Sequence, residues 1–221
     1  MDERHNRATS PFDEKARLAE LRSLDILDTP PEVRFDRYTR LVAQIFKVPM
    51  AIISLIDEDR QWFKSSVGVK VRETPLDESF CVHAIEHDLL EIADALVDDV
   101  FCHHKAVVGS PFVRFYAGTV LRGPTGQPLG TLCILDTSPR QLTDMERSWL
   151  VTFGHLVEEL IIHQATLAIV RQRMNHVTQR NTRTGSSDEM LFGNTITNLM
   201  HLADKDDHFL ALLRLRLNNL H

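Results

Sequence analysis

The sequence predicts an α+β domain: two amphipathic helices, at least five short strands that pair into a sheet, and one long closing helix. Three observations predict it. Apolar residues recur at helical spacing between Ala16 and Phe46. From Val48 to Leu135 they come instead in short β-branched and aromatic runs punctuated by glycine, proline and aspartate. After Thr143 no proline interrupts the chain.

The first helix is read over residues 13–25, from Ala16, Leu18, Leu21, Leu24 and Ile26-Leu27. Thr29-Pro30-Pro31-Glu32 then supplies a capping threonine, a proline at the first helical position and a glutamate three residues on, a capping box for a second helix over 30–47. Its buried stripe is expected to be Phe35, Tyr38, Leu41, Val42, Ile45 and Phe46. Met50–Ile56 and Arg60–Val67 make a hairpin around the solvated turn Asp57-Glu58-Asp59. Residues 68–79 read as loop, and Thr74-Pro75-Leu76-Asp77 opens a short helix over 78–87. Leu89–Ala93 is a strand, 94–112 a loop with a turn of helix, and Val113–Leu121 and Leu129–Leu135 a second hairpin across a turn rich in glycine and proline.

Thr143 and Glu146 form another capping box, opening a helix that runs to about residue 180. Phe153, Leu156, Leu160, His163, Leu167, Val170 and Met174 alternate by three and four residues along it, a heptad seam that predicts a parallel two-stranded coiled coil and a homodimer. His163 is its one polar occupant, and the competing arrangement folds the helix back on its own sheet. Residues 181–221 hold a polar linker, a helical stretch and an apolar strand, too little to fold alone.

Composition narrows the function. A formal charge of −6 and a pI near 6.0 leave no basic field for nucleic acid. The longest apolar stretch, Val48–Ile56, is too short to span a bilayer, and Met1–Asp13 is polar, so a cytoplasmic location is expected, without membrane attachment. Three irregularly spaced cysteines make no disulfide framework.

Nine short motifs between residues 24 and 136 occur in one order. They include Leu24-Asp25-Ile26-Leu27-Asp28-Thr29-Pro30-Pro31-Glu32, Phe35-Asp36, Asp59-Arg60-Gln61-Trp62-Phe63-Lys64-Ser65, Glu73-Thr74-Pro75, Ser79-Phe80-Cys81-Val82-His83, Phe115-Tyr116-Ala117-Gly118 and Gly130-Thr131-Leu132-Cys133. Together they resemble the GAF domains that precede diguanylate cyclase and histidine kinase modules in bacteria. The resemblance implies a central antiparallel sheet of about six strands, with terminal helices on one face and a ligand pocket on the other. The tail is similar to the opening of a GGDEF domain, through Thr184-Gly185 and the strand Ala211–Asn218, but Arg216 and Asn218 stand where that family places metal-binding residues. The implied organisation is a polar tail over 1–12, a GAF sensory domain over 13–162, a signalling helix over 163–180 and a degenerate, truncated GGDEF-like remnant over 181–221.

The resulting expectation is a non-catalytic sensor that lacks cyclase activity, binds an unidentified small molecule or serves as a dimerisation module, and partners a full-length diguanylate cyclase or kinase. No cofactor and no metal site are read. The pocket candidates are Trp62, Phe80, Cys81, His83, Arg114, Phe115, Tyr116 and Ala117: aromatic walls with a few directed polar groups, and a guanidinium for an anion. The catalytic rival is a free-methionine sulfoxide reductase-like enzyme, in which Cys81, Cys102 and Cys133 supply a nucleophile and a resolving thiol. Against it, Cys133 lies mid-strand among apolar neighbours, where thiols are usually inert. Cys102-His103-His104 reads as solvated loop.

Overall fold

The computed structural model describes residues 12–184. Six strands build one antiparallel sheet: β1 (Met50–Ile56), β2 (Arg60–Val67), β3 (Glu73–Pro75), β4 (Leu89–Ile92), β5 (Phe115–Arg122) and β6 (Pro128–Asp136), in the order β3-β2-β1-β6-β5-β4. The helices are α1 (Glu14–Ser23), α2 (Val33–Phe46), α3 (Cys81–Ala84), α4 (Lys105–Val108) and α5 (Asp144–Thr184). β1 is buried at every position and β6 at all but Asp136, because both faces of the sheet are covered; these strands therefore read as continuous apolar runs, not alternating ones.

Side-chain alternation divides the interior into two cores. On one face Ala51, Ile53, Leu55, Trp62, Phe115, Ala117, Leu132 and Ile134 pack against Leu21 of α1, Phe35, Val42 and Phe46 of α2, and Leu150, Val157 and Ile161 of α5. On the other, Met50, Ile52, Phe63, Tyr116, Val120, Cys133 and Leu135 meet the connecting segments through Phe80, Ala84, Ile85, Phe101 and Val107.

α2 begins at Val33, three residues later than expected, and Glu32 makes no side-chain cap. The expected capping pair is used elsewhere. Thr29 Oγ1 accepts from Lys64 Nζ at 2.6 Å, and Glu32 pairs with the same ammonium, whose side chain is fully buried over the rings of Phe35 and Trp62. Around this pair Ser65 Oγ donates to Asp36 Oδ1 at 2.6 Å, and Arg60 joins Asp28 and Glu73, each at 2.6 Å. The motifs that carried the resemblance are thus one polar latch fastening the α1–α2 link to β2 and β3. The buried stripe of α2 is corrected as well: it is Phe35, Thr39, Val42, Ala43 and Phe46, while Leu41 and Ile45 are 43% and 38% exposed. Thr39 replaces them because its hydroxyl meets Ser65 Oγ at 2.8 Å inside the latch.

Two local expectations fail for lack of regularity. The loop 68–79 contains β3, held by three register pairs to β2, and the helix expected over 78–87 shrinks to a 3-10 turn, Leu76–Glu78, and the single turn of α3.

The capping box of α5 forms: Thr143 N–H donates to Glu146 Oε2 at 2.8 Å, and Glu146 N–H to Thr143 Oγ1 at 3.2 Å. The first turns pack on the sheet through Leu150, Gly154, Val157 and Ile161, a stripe offset from the expected seam. Gly154 permits this approach, since a Cβ there would meet Thr119 Cγ2 at 2.6 Å. Phe153 and Leu160 are half-buried, Leu156 is 37% exposed and His163 is exposed; the side chains of Leu167, Val170 and Met174, and residues 185–221, lie outside the described residues. Gly154→Val is expected to lower stability by about 1–3 kcal/mol through overpacking against β5, read as a lower urea midpoint; an unchanged midpoint would mean that α5 does not rest on Thr119.

A candidate ligand cavity with a dithiol floor

The face opposite α2 and α5 encloses a cavity of about 360 Å³. β1 contributes Met50 and Ile52, β2 Gln61 and Phe63, β5 Tyr116 and β6 Cys133 and Leu135, all the residues of one parity on their strands. Phe80 and Cys81, entering α3, close one side, and Ala106 and Val113, around α4, close another. Phe80 is fixed between rings, stacked on Phe101 at 4.9 Å and on Tyr116 at 5.2 Å. The rim is exposed and charged: Glu73, Glu78 and Lys105, the last paired to Glu78 at 2.6 Å, with the apolar Val71 beside them.

Polar groups gather at the floor. Gln61 Nε2 donates to Cys81 Sγ at 3.0 Å and Tyr116 OH donates to the same sulfur at 3.4 Å, while Thr74 Oγ1 donates to Gln61 Oε1 at 3.3 Å and holds that amide in place. Cys133 Sγ is 3.7 Å from Cys81 Sγ, and the Ser54 and Thr131 hydroxyls are joined at 3.2 Å beneath them. Burial pushes the Cys81 thiol up, but the hydrogen bonds from Cys133, Ser54, Thr131 and Tyr116 outweigh it and bring it from 9.0 to about 6. Cys133 is held well above the ordinary thiol range by its bond to Cys81 and by burial, so the pair shares one proton and Cys81 carries the charge. Burial, with the neighbouring thiolate charge, also raises Tyr116 well above 10, which keeps its phenol protonated and donating.

Of the residues expected to bind ligand, Phe80, Cys81 and Tyr116 come together at this cavity. Trp62, Phe115 and Ala117 do not: strand parity places them in the opposite core, under the helices. Arg114 spends Nη1 on the carbonyls of Val107 and Val113, both at 2.9 Å, fastening α4 to the start of β5. His83 stands edge-on to Phe101 at 5.1 Å, outside the lining. His104 is not solvated loop; it stacks on Phe80 at 4.3 Å and its Nδ1 accepts from Ala106 N–H at the start of α4. Sequence reasoning missed Gln61 and set Cys133 aside as inert, although the parity of β2 and β6 points both into the cavity. Among the described residues no three His, Cys, Asp or Glu side chains form a metal-holding group, and no helix is long and apolar enough to cross a membrane.

The family model of the GAF domain matches residues 30–161. The chain belongs to the GAF family. A relative from Pseudomonas aeruginosa, named a cyclic di-GMP phosphodiesterase, is 38% identical over 154 residues, which are 68% of this chain and 26% of the relative. This GAF chain thus spans about a quarter of that protein's length. Two solved structures share the fold. The free methionine-R-sulfoxide reductase of Neisseria meningitidis, determined with its substrate, has a TM-score of 0.52 at 14% identity, covering 71% of this chain and 95% of that one. The GAF domain of an Acinetobacter phosphoenolpyruvate-protein phosphotransferase has a TM-score of 0.51 at 20% identity, covering 68% and 95%. These findings overturn the expectation that the chain has no enzymatic role. The relative sharing 38% of its residues is named as an enzyme, and a reductase is built on the same GAF fold.

Proposed function

We propose that the chain is the regulatory GAF portion of a cyclic di-GMP signalling system, and that a compact small molecule in the cavity is its signal. The cavity carries this reading: about 360 Å³ sits at the small end of ligand pockets, usually about 300–1,000 Å³, with apolar walls and polar groups converging on one floor. The relative supports the signalling context, since the matched span accounts for 26% of a protein named as a cyclic di-GMP phosphodiesterase. A ligand shifts the output only by binding two conformations unequally. α3, a single turn that supplies Cys81 to the cavity, is the wall that a ligand displaces, and the sheet carries the displacement to α5 packed behind it. The exposed Met145, Trp149 and Leu156 support a pairing of α5 with a second copy, so that the output is dimeric.

The test is a graft. Residues 12–169 replace the matching span of the phosphodiesterase, and cyclic di-GMP hydrolysis is measured with and without a small-molecule extract of the source cytosol. Hydrolysis is expected to change several-fold with the extract, and Ala106→Trp, which fills the cavity, is expected to abolish the change. An extract response identical in Ala106→Trp would contradict the cavity as the sensing site.

A further inference from the structure

Two thiols share one hydrogen-bonded floor, with sulfurs 3.7 Å apart, at the bottom of a cavity whose rim reaches solvent. Both are almost wholly buried, at 2% and 1% exposure, so the cavity is their approach. Their supports differ in stiffness. Cys133 sits in the middle of β6, paired on both sides with Ile52 and Gly118. Cys81 opens the single turn of α3 and hangs on short segments of irregular chain. One sulfur is anchored and the other is carried by the element with fewer restraints, as a pair that must close requires.

We propose that Cys81 and Cys133 are a redox-active dithiol, closed to a disulfide by a small hydroperoxide that enters the cavity. This rests on the cavity being the sensing site and names the regulation it carries. Cys81 thiolate attacks the terminal oxygen of the hydroperoxide: a sulfur–oxygen bond forms, the oxygen–oxygen bond breaks, and the leaving alkoxide takes a proton to become an alcohol. Cys133 then attacks the Cys81 sulfenic acid. The sulfur–sulfur bond forms, the sulfur–oxygen bond breaks, and the hydroxide leaves as water with the Cys133 proton. Two thiols and one hydroperoxide become one disulfide, one alcohol and one water, and a cellular dithiol reverses the change. Gln61 and Tyr116 are positioning residues here: both donate to Cys81 Sγ, which stabilises the thiolate and aims it. Closure draws α3 toward the sheet, so the oxidation signal leaves by the same wall as a ligand signal.

The fully reduced chain, treated with one equivalent of hydrogen peroxide and then alkylated in denaturant, is expected to lose the mass of two hydrogens and to yield a linked peptide pair containing Cys81 and Cys133. Cys133→Ser is expected to stop at the sulfenic acid, gaining one oxygen that dimedone traps on Cys81; Cys81→Ser is expected to leave Cys133 reduced, and Cys102→Ser to behave as wild type. Oxidation confined to Cys102, or all three thiols alkylated after treatment, overturns the proposal. An extract response in the graft without any Cys81–Cys133 disulfide would remove the redox step and leave the ligand reading standing; a disulfide with no extract response would do the reverse.

Discussion

Glu32→Ala is expected to destabilise the protein by about 3–5 kcal/mol, more than any surface substitution. Lys64 points from β2 under α2 with its side chain fully buried, and Glu32 is the carboxylate beside it. Without that carboxylate the ammonium keeps only Thr29 Oγ1 and the faces of Phe35 and Trp62. A buried charge missing its counter-ion loses the attraction that offset its desolvation, whereas a pair replaced by apolar groups of similar volume is close to neutral. The double variant Glu32→Ala, Lys64→Met is therefore expected to recover most of the loss. Urea unfolding of the four proteins in the cycle measures it; additive effects, or a single-variant loss below about 1 kcal/mol, would show that the latch is ornamental.

The second large effect is chemical. The Cys81 thiol, lowered to about 6, is the nucleophile only when deprotonated, so its alkylation by iodoacetamide is expected to rise through pH 6 and level off above it. In the denatured chain the same residue is expected to rise through about 8.5. Near pH 7 the folded site is then mostly thiolate where an ordinary cysteine is a few per cent, a difference of about thirty-fold in reactive fraction. Access through the cavity scales the rate at every pH and leaves the midpoint alone. The ionisable groups facing the sulfur are Cys133 from β6 and Tyr116 from β5, with Gln61, Ser54 and Thr131 as neutral partners. Removing a group that favours the charged form moves the midpoint up: Cys133→Ala most, because its bond is the largest lowering cause, and Tyr116→Phe less. A wild-type midpoint at or above 8.5, by site-resolved mass spectrometry, would mean that Cys81 is an inert buried thiol.

The sheet was legible because runs such as Met50–Ile56 and Leu129–Leu135 are apolar enough to be buried on both faces, and because hairpin turns punctuate them. Short elements were not. β3 and α3 are fixed by pairing and packing with distant residues, which local pattern does not record. The family resemblance named the fold, and the structure gives its signature residues a different task from the one an aromatic-and-charge reading suggests: Asp28, Glu32, Asp36, Arg60 and Lys64 fasten chain to chain. The site was half legible. Phe80, Cys81 and Tyr116 were found by chemical type, but type also selected Trp62 and Phe115, which strand parity sends to the other core. Parity was available in the sequence once the strands were assigned, and it would have exchanged Trp62 for Gln61. That Cys133 faces Cys81 was beyond reach, since it depends on where α3 lands across the sheet.

Native mass spectrometry of the chain purified gently from its own cytosol tests the central claim, that the floor above Cys81 and Cys133 belongs to a ligand cavity. Wild-type protein is expected to carry a small additional mass, released on unfolding, and Ala106→Trp of equal stability to carry none. A bare wild-type mass under conditions that preserve the fold, or the same adduct on both proteins, would contradict it.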